Sequence, residues 1–215
     1  MKTLTVIHRK SIPFLLLGLI LISALLVVCL PNAKAQDLTQ FVSESGFLSL
    51  SYPADWTLVV DENDTVHIAN SESAIADMEQ LQAGDIHISI ALIPTAVVEA
   101  FGSSADTSGP ALEFVMNVPV HALVDPDNTS VGDISPAELG NGFDASQINI
   151  SNTAMDGVIF AIMPTDGVVA YVTVVTPSGE YSNSEGAVQS ILETLQYNGT
   201  AEDLWDELIG WPLPI

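Results

Sequence analysis

The chain has 215 residues, of which 27 are acidic and four are basic, and its formal net charge is −23. All four basic residues precede residue 36: Lys2, Arg9, Lys10 and Lys34. Contacts with nucleic-acid phosphates and attraction to anionic lipid headgroups need basic side chains. The composition therefore excludes a nucleic-acid partner and electrostatic binding to an anionic membrane. The single cysteine, Cys29, also precedes residue 36, so the remainder has no disulfide or thiolate site.

The first 35 residues have the pattern of an export signal. Basic residues precede an apolar run from Ile12 to Leu30, and Ala33-Lys34-Ala35 matches the small-x-small pattern read by signal peptidase. We therefore predict a signal peptide over 1–35, with cleavage before Gln36. The run is also just long enough to span a bilayer, so an N-terminal membrane anchor is the alternative. Either way, the protein is expected to be exported, to the periplasm or the extracellular space.

Residues 36–45 lack strong periodicity and are interpreted as a short lead-in. A domain is then predicted over 46–199, beginning with two alternating strands joined at a proline-led corner. Their apolar faces are Leu48, Leu50 and Tyr52, then Trp56, Leu58 and Val60. The segment 61–64 is the turn into a third strand over 65–69.

A helix of about ten residues is predicted to begin at Asn70-Ser71, before Gly84 ends it. The next strand, over 86–92, alternates clearly, with His87 and Ser89 opposite its apolar face. A short helix over 95–101, a loop and a helix opened by Pro110 follow. A polar turn over 124–132 precedes weaker strands at 133–139 and 143–151.

Two further strands, over 158–163 and 168–175, are apolar at nearly every position. Such strands are typical of a sheet covered on both faces. The predicted fold class is therefore α+β, with an antiparallel sheet sandwiched between helices. A final helix is predicted from a capping box formed by Ser182 and Glu185.

Residues 200–215 form a short amphipathic acidic tail, with Thr200 and Asp203 placed to cap a helix. Its apolar side includes three candidate partner-binding residues: Trp205, Leu208 and Trp211. Two interpretations stay open. The tail docks on another protein, or it folds back on its own domain, which would hide an apolar patch.

The corner Ser51-Tyr52-Pro53-Ala54-Asp55-Trp56 and the later Ala-Asn-Ser-Glu-Ser of 69–73 resemble the PsbP/DcrB-like superfamily, especially exported bacterial members. The resemblance covers about 46–198. It implies a PsbP-like sandwich of an antiparallel sheet between helices. The best-known member of that group is an extrinsic, non-catalytic photosystem subunit, and its function does not carry over to this chain. No metal-binding or partner-binding residue of that subunit matches a position here.

His67 and His87 lie on two strands with the same parity relative to the apolar faces. If those strands pair, the two imidazoles approach closely enough to hold a transition metal together with a nearby carboxylate. The alternative is that both are ordinary surface or second-layer histidines.

Two acidic loops offer oxygen ligands of the kind that calcium selects. The candidate residues are Asp61 and Asp64 in the first loop, and Asp125, Asp127 and Asp133 in the second. The second loop fails as an EF-hand, because Pro136 stands at the twelfth position. Plain solvated turns are the alternative for both, and no other cofactor is indicated.

No esterase elbow, zinc-protease helix, phosphate loop or dinucleotide fingerprint occurs, so no catalytic residue is assigned. We expect an exported, non-catalytic binding or accessory module whose partner is a protein or a small ligand. The alternatives are a weak divalent-cation binder that uses the acidic loops and a hydrolase without a recognisable motif. With no lysine or arginine after residue 34, folding should crowd like charges and raise many carboxyl pKa values, and salt should stabilise the fold.

Overall fold

The computed structural model describes residues 37–117 and 129–209. None of the helices in these two ranges combines the length and the apolar character needed to cross a bilayer. The predicted signal peptide of 1–35 and the second acidic turn around Asp125 and Asp127 lie outside the described residues.

Eleven strands in the described ranges form two antiparallel sheets. In chain order the strands are β1 (Leu38–Val42), β2 (Leu48–Pro53), β3 (Thr57–Val60), β4 (Val66–Ala69), β5 (His87–Pro94), β6 (Ser130–Val131), β7 (Ser135–Pro136), β8 (Asp144–Ser151), β9 (Met155–Thr165), β10 (Val168–Pro177) and β11 (Gln196–Tyr197). The small sheet has the order β1-β2-β11. The large sheet has the order β3-β4-β5-β10-β9-β8-β6, and β7 also pairs with β8.

Five α-helices accompany the sheets in the same ranges. They are α1 (Glu72–Ala76), α2 (Thr95–Ala100), α3 (Ser108–Asn117), α4 (Tyr181–Leu192) and α5 (Ala201–Ile209). The helix predicted after Asn70-Ser71 begins there, because the Ser71 hydroxyl accepts the backbone N–H of Ala74 at 3.1 Å. It is shorter than predicted, since α1 ends at Ala76 and a separate 3-10 turn covers Met78–Gln80.

The large sheet is covered on both faces at its centre. On β9, Val158, Phe160 and Ile162 point to one face and belong to a core that includes residues of β2 and α4. Ile159 and Ala161 point to the other face and belong to a core with α2 and α3. The predicted antiparallel sheet between helices is therefore confirmed, with the small sheet as an additional cover on the first face.

The strand β1 arises from the segment interpreted as a featureless lead-in. It pairs antiparallel with β2, with Thr39 opposite Tyr52. Leu38 and Val42 are exposed, and Phe41 packs against the core. Because β1 is held mainly by backbone hydrogen bonds to its neighbour, its sequence needs no regular alternation of apolar residues.

The tail helix α5 folds back on the domain. Thr200 and Asp203 form the predicted cap reciprocally: Thr200 Oγ1 accepts the N–H of Asp203 at 3.1 Å, and Asp203 Oδ2 accepts the N–H of Thr200 at 2.7 Å. The buried contact comes from Leu204, which packs with Val168 and Tyr197. Of the candidate partner-binding residues, Trp205 is half-buried, whereas the Leu208 side chain and Trp211 lie outside the described residues.

The capping box predicted for the preceding helix is wrong. Helix α4 begins at Tyr181, and its N-cap residue Glu180 makes no side-chain capping bond. Ser182 therefore lies inside the first turn. The Ser184 hydroxyl instead donates to the Tyr181 carbonyl at 2.7 Å. A serine in the first turn can bond locally in several ways, so the spacing alone did not fix the start of the helix.

Candidate functional site

The candidate site lies at the β3 end of the large sheet, where polar side chains and exposed apolar surface occur together. Among the described residues, β3 pairs with β4 alone and is therefore an edge strand there. Val59 and Val60 on it are 43% and 42% exposed. An edge with exposed apolar side chains and no lysine to protect it is suited to contact with another molecule.

The turn between β3 and β4 is organised by Asp61. Its Oδ1 atom accepts the backbone N–H groups of Asn63 at 2.8 Å and Thr65 at 2.9 Å. Asp64 adopts the left-handed backbone conformation, with φ of 58°. Aspartate tolerates this region better than most residues, because its short side chain can bond locally. The turn thus holds Asp61 beside β4 and directs Asp64 outward.

Two histidines meet beneath this turn. Strands β4 and β5 pair as the prediction required, with His67 opposite Ser89 and Ala69 opposite His87. The histidines are thus diagonal neighbours on one face of the sheet. His67 Nδ1 lies 3.3 Å from His87 Nε2, and His67 Nε2 lies 3.3 Å from Asp61 Oδ2. His87 is 2% exposed, whereas the side chain of His67 is 20% exposed.

Burial sets the protonation of this cluster. Burial, and then the neighbouring His67, lower the pKa of His87 from its usual value to about 4. Burial raises the pKa of Asp61, but hydrogen bonds from Thr65, Asn63 and His67 outweigh it, so the net shift is downward. At neutral pH the cluster is therefore a neutral buried imidazole, a partly exposed imidazole and a carboxylate.

The expected rise in carboxyl pKa values is not seen in the carboxyl groups whose pKa is shifted. Two described carboxyl groups have a resolved shift, Asp61 and Asp203, and the pKa is lowered in both. The side-chain and backbone hydrogen bonds of Thr200 lower the pKa of Asp203. Local hydrogen bonds to the ionised form thus outweigh the general repulsion at these two positions.

A cleft of about 560 Å³ opens between the two sheets at the same edge. Its apolar lining comes from both sheets and from α5: Phe41, Phe47, Leu48, Val60, Val66, Ala91, Leu92, Tyr197 and Leu204. Its polar lining comes from two turns: Ser43, Glu44, Ser45, Asn63 and Asp64. An apolar cavity of this size with a few polar groups is typical of a binding site.

The rim of the cleft carries its charge. Glu44 lies in the β1–β2 turn and Asp64 in the β3–β4 turn, and both are exposed. The first turn is fixed by Ser43, whose hydroxyl accepts the Leu48 N–H at 3.1 Å. Inside, the Phe47 and Tyr197 rings lie 6.1 Å apart between centroids. The cleft thus combines an apolar interior with an acidic rim.

The structure brings only some of the predicted metal ligands close to one another. Asp61 approaches His67, Asp64 turns to the cleft, and Asp133 is exposed near β7. Asp125 and Asp127 lie outside the described residues. Within 37–117 and 129–209, no three His, Cys, Asp or Glu side chains are grouped so as to hold a metal ion. The calcium site therefore stays a prediction.

Sequence reasoning missed the cleft. Its residues come from segments that are distant in the chain, including Phe41 on β1, Leu92 on β5 and Tyr197 on β11. A signal was present in Phe41 and Phe47, two aromatic residues that flank a Ser-Glu-Ser-Gly turn. That signal indicates a hairpin with apolar contacts. It does not indicate which residues of the large sheet face the hairpin.

Comparison with known proteins finds no matching family model and no matching curated protein. Solved structures with a similar fold include PsbP from Synechocystis sp. PCC 6803, at 11% identity and a TM-score of 0.47 over 79% of this chain and 96% of that one. The Ran-binding protein Mog1p of Saccharomyces cerevisiae has 10% identity and a TM-score of 0.48 over 76% and 96%.

LpqN of Mycobacterium tuberculosis, described as involved in cell envelope biogenesis, has 19% identity and a TM-score of 0.41 over 77% of this chain and 86% of that one. A PsbP protein, from the group that the Ser51–Trp56 corner resembles, is thus among the structures similar to this one. These likenesses concern the arrangement of strands and helices, and the activities in their names belong to those proteins.

Proposed function

We propose that this chain is an exported, non-catalytic binding module that holds a basic, partly apolar peptide segment of a partner protein in the acidic cleft between its two sheets. The observation that carries the proposal is the composition of the cleft. Apolar side chains from both sheets line it, Glu44 and Asp64 stand at its rim, and the chain has no lysine or arginine after Lys34.

The charge of the chain favours the sign of this partner. Complementary charges steer two molecules together and disfavour partners of like charge. A ligand rich in carboxylates or phosphates would meet Glu44 and Asp64 with no basic side chain to neutralise it. A segment with lysine or arginine would place its charges at the rim while its apolar side chains fill the interior.

The shape of the site favours an extended segment. Strand β3, whose Val60 lines the cleft, has a free backbone edge among the described residues. An added strand gains main-chain hydrogen bonds there, and its alternate side chains point to opposite sides. The side chains on one side of the bound segment can be apolar and face the cleft. Those on the other side can be basic and face the acidic β3–β4 turn.

The export part of the proposal is supported by the basic start and the apolar run before Ala35. N-terminal sequencing of the protein recovered outside the cytoplasm should begin at Gln36. Recovery in the membrane fraction only, with residues 1–30 retained, would support the anchor instead.

The binding part can be tested with two synthetic peptides of alternating valine and charged residues, one with lysine and one with glutamate. Fluorescence anisotropy at 0.15 M NaCl should detect binding of the lysine peptide only. Glu44→Gln combined with Asp64→Asn should weaken it about twofold to thirtyfold, because each of the two exposed charge pairs contributes roughly 0.2–1 kcal/mol.

The matched control removes two exposed charges from the other face of the large sheet, Glu99→Gln on α2 and Glu113→Gln on α3. This variant should bind the lysine peptide as the unmodified protein does. Equal weakening by both double variants would mean attraction by the overall charge and would contradict binding in the cleft. Equal binding of the two peptides would also contradict it.

A further inference from the structure

We propose that His67 and His87 form a binding site for a borderline transition-metal ion such as Zn²⁺, separate from the cleft. The proposal rests on the placement of the two imidazoles and their carboxylate, and it does not depend on the ligand of the cleft. Zinc is bound by neutral imidazole nitrogens at about 2.0–2.1 Å, in tetrahedral geometry.

The separation of the two nitrogens fits this geometry. His67 Nδ1 and His87 Nε2 are 3.3 Å apart. Two nitrogens bound to one tetrahedral zinc at the usual bond length are themselves about 3.3–3.4 Å apart. The distance between the two facing nitrogens therefore matches that of two zinc ligands, and small rotations of the rings would turn both lone pairs to one ion.

The sheet holds both ligands in this position. His67 and His87 lie on adjacent strands whose register is fixed by the β4–β5 ladder. The residue directly opposite each histidine is small, Ser89 for His67 and Ala69 for His87. Ligands on paired strands are held more precisely than ligands on loops, which favours a preorganised site.

Asp61 supplies the outer contact that histidine ligands of metals commonly have. It lies 3.3 Å from His67 Nε2, the ring nitrogen that faces away from His87. With Nε2–H of His67 donating a hydrogen bond to Asp61, the lone pair of His67 is on Nδ1, which faces His87. Asp61 is itself fixed by the N–H groups of Asn63 and Thr65.

The metal-free and bound forms differ by one proton shift within His87. In the metal-free tautomer in which His67 Nε2–H donates to Asp61, His67 Nδ1 accepts from His87 Nε2–H across their 3.3 Å contact. On binding, that proton moves to Nδ1 of His87 and both facing nitrogens offer lone pairs to the ion. The two remaining positions of the ion are taken by water, so the site binds less tightly than a four-ligand structural site.

The test uses the full-length protein treated with EDTA and titrated with Co²⁺ as a spectroscopic probe, followed by competition with Zn²⁺. We expect visible absorption bands typical of cobalt bound to nitrogen, their loss on addition of Zn²⁺, and shifts of the His67 and His87 ring signals in NMR. His67→Gln should abolish the cobalt bands, and because His67 is partly exposed this variant should keep the fold.

Asp61→Asn tests the outer contact. The variant keeps an oxygen for the Asn63 and Thr65 N–H groups and loses the carboxylate charge, so Zn²⁺ affinity should fall about tenfold to a hundredfold. Glu62→Gln, which removes an exposed carboxylate from the same turn, is the matched control and should leave the Zn²⁺ affinity nearly unchanged. Equal Co²⁺ binding by the unmodified protein and His67→Gln would locate the metal on surface carboxylates, and no binding at all would also overturn the proposal.

Discussion

The centre and the β3 edge of the large sheet are both built from antiparallel strands, but they differ in how far their side chains are buried. At the centre, residues 157–162 of β9 and all residues of β10 except Thr173 and Pro177 are buried, and Ile162 is 0% exposed. At the edge, Val59 and Val60 of β3 are exposed, His87 is buried two strands further in on β5, and an open cleft lies alongside.

The difference shows where binding energy is available. Burial of apolar surface at the centre is complete, so it contributes to the stability of the fold and offers nothing to a ligand. At the edge, apolar surface is accessible and no strand of the described ranges pairs with the outer side of β3, so a partner can gain from covering both. Substitutions should therefore affect stability at the centre and affect binding at the edge.

The largest expected effect comes from truncating the centre. Ile162 lies opposite Ala170 on one side and Ala145 on the other, so its two cross-strand neighbours are too small to fill the space that Ile162→Ala leaves. We expect a loss of about 3 kcal/mol in the free energy of unfolding, measured by urea denaturation. Val59→Ala at the edge is the control and should cost less than about 1 kcal/mol. Equal losses would mean that the edge is packed as firmly as the centre.

An effect of similar or slightly smaller size concerns pH and His87. Its pKa of about 4 in the folded protein is below the value of 6.5 for an unperturbed histidine, so the unfolded chain binds more protons between these values. Stability should therefore fall as pH decreases from about 6.5 to about 4, by up to about 3 kcal/mol. Asp61, whose pKa is also lowered, should add to the loss at still lower pH.

Denaturation of metal-free protein at pH 7 and pH 5 measures this effect, and His87→Gln provides the comparison. The variant should lose less stability between the two pH values, whatever its stability at pH 7. If the free energy of unfolding falls by the same amount between pH 7 and pH 5 in His87→Gln, other groups cause the acid sensitivity. Protonation of the histidine pair would then not destabilise the edge.

The smallest expected effect concerns the acidic rim. At constant pH 7.5, NaCl from 0.05 to 1 M should raise the melting temperature by a few degrees, because salt screens repulsion among carboxylates and ~1 kcal/mol corresponds to ~2–4 °C at this size. The rise should be smaller in the Glu44→Gln, Asp64→Asn protein than in the Glu99→Gln, Glu113→Gln protein. CaCl₂ at matched ionic strength should exceed NaCl only if the predicted calcium site exists.

His67, His87 and Asp61 show how much of the candidate site could be predicted from sequence patterns. Alternation along 86–92 indicated that His87 faces away from the apolar side, and the parity of His67 placed the two histidines on a common face. The contact of His67 with Asp61 was not predicted. It depends on the left-handed conformation of Asp64 and on two backbone hydrogen bonds within the turn, which no periodicity encodes.

By itself, the sequence determined those properties that follow from side-chain type and spacing. They are the absence of basic residues after Lys34, the strands buried on both faces, the cap at Thr200 and Asp203, and the layered antiparallel class. Only the tertiary structure decided that residues 38–42 form a strand, that Leu204 anchors the tail helix, and that Phe41, Leu92 and Tyr197 line one cleft. Those features depend on contacts between segments far apart in the chain, whereas a sequence pattern reports the burial of a face without naming what covers it.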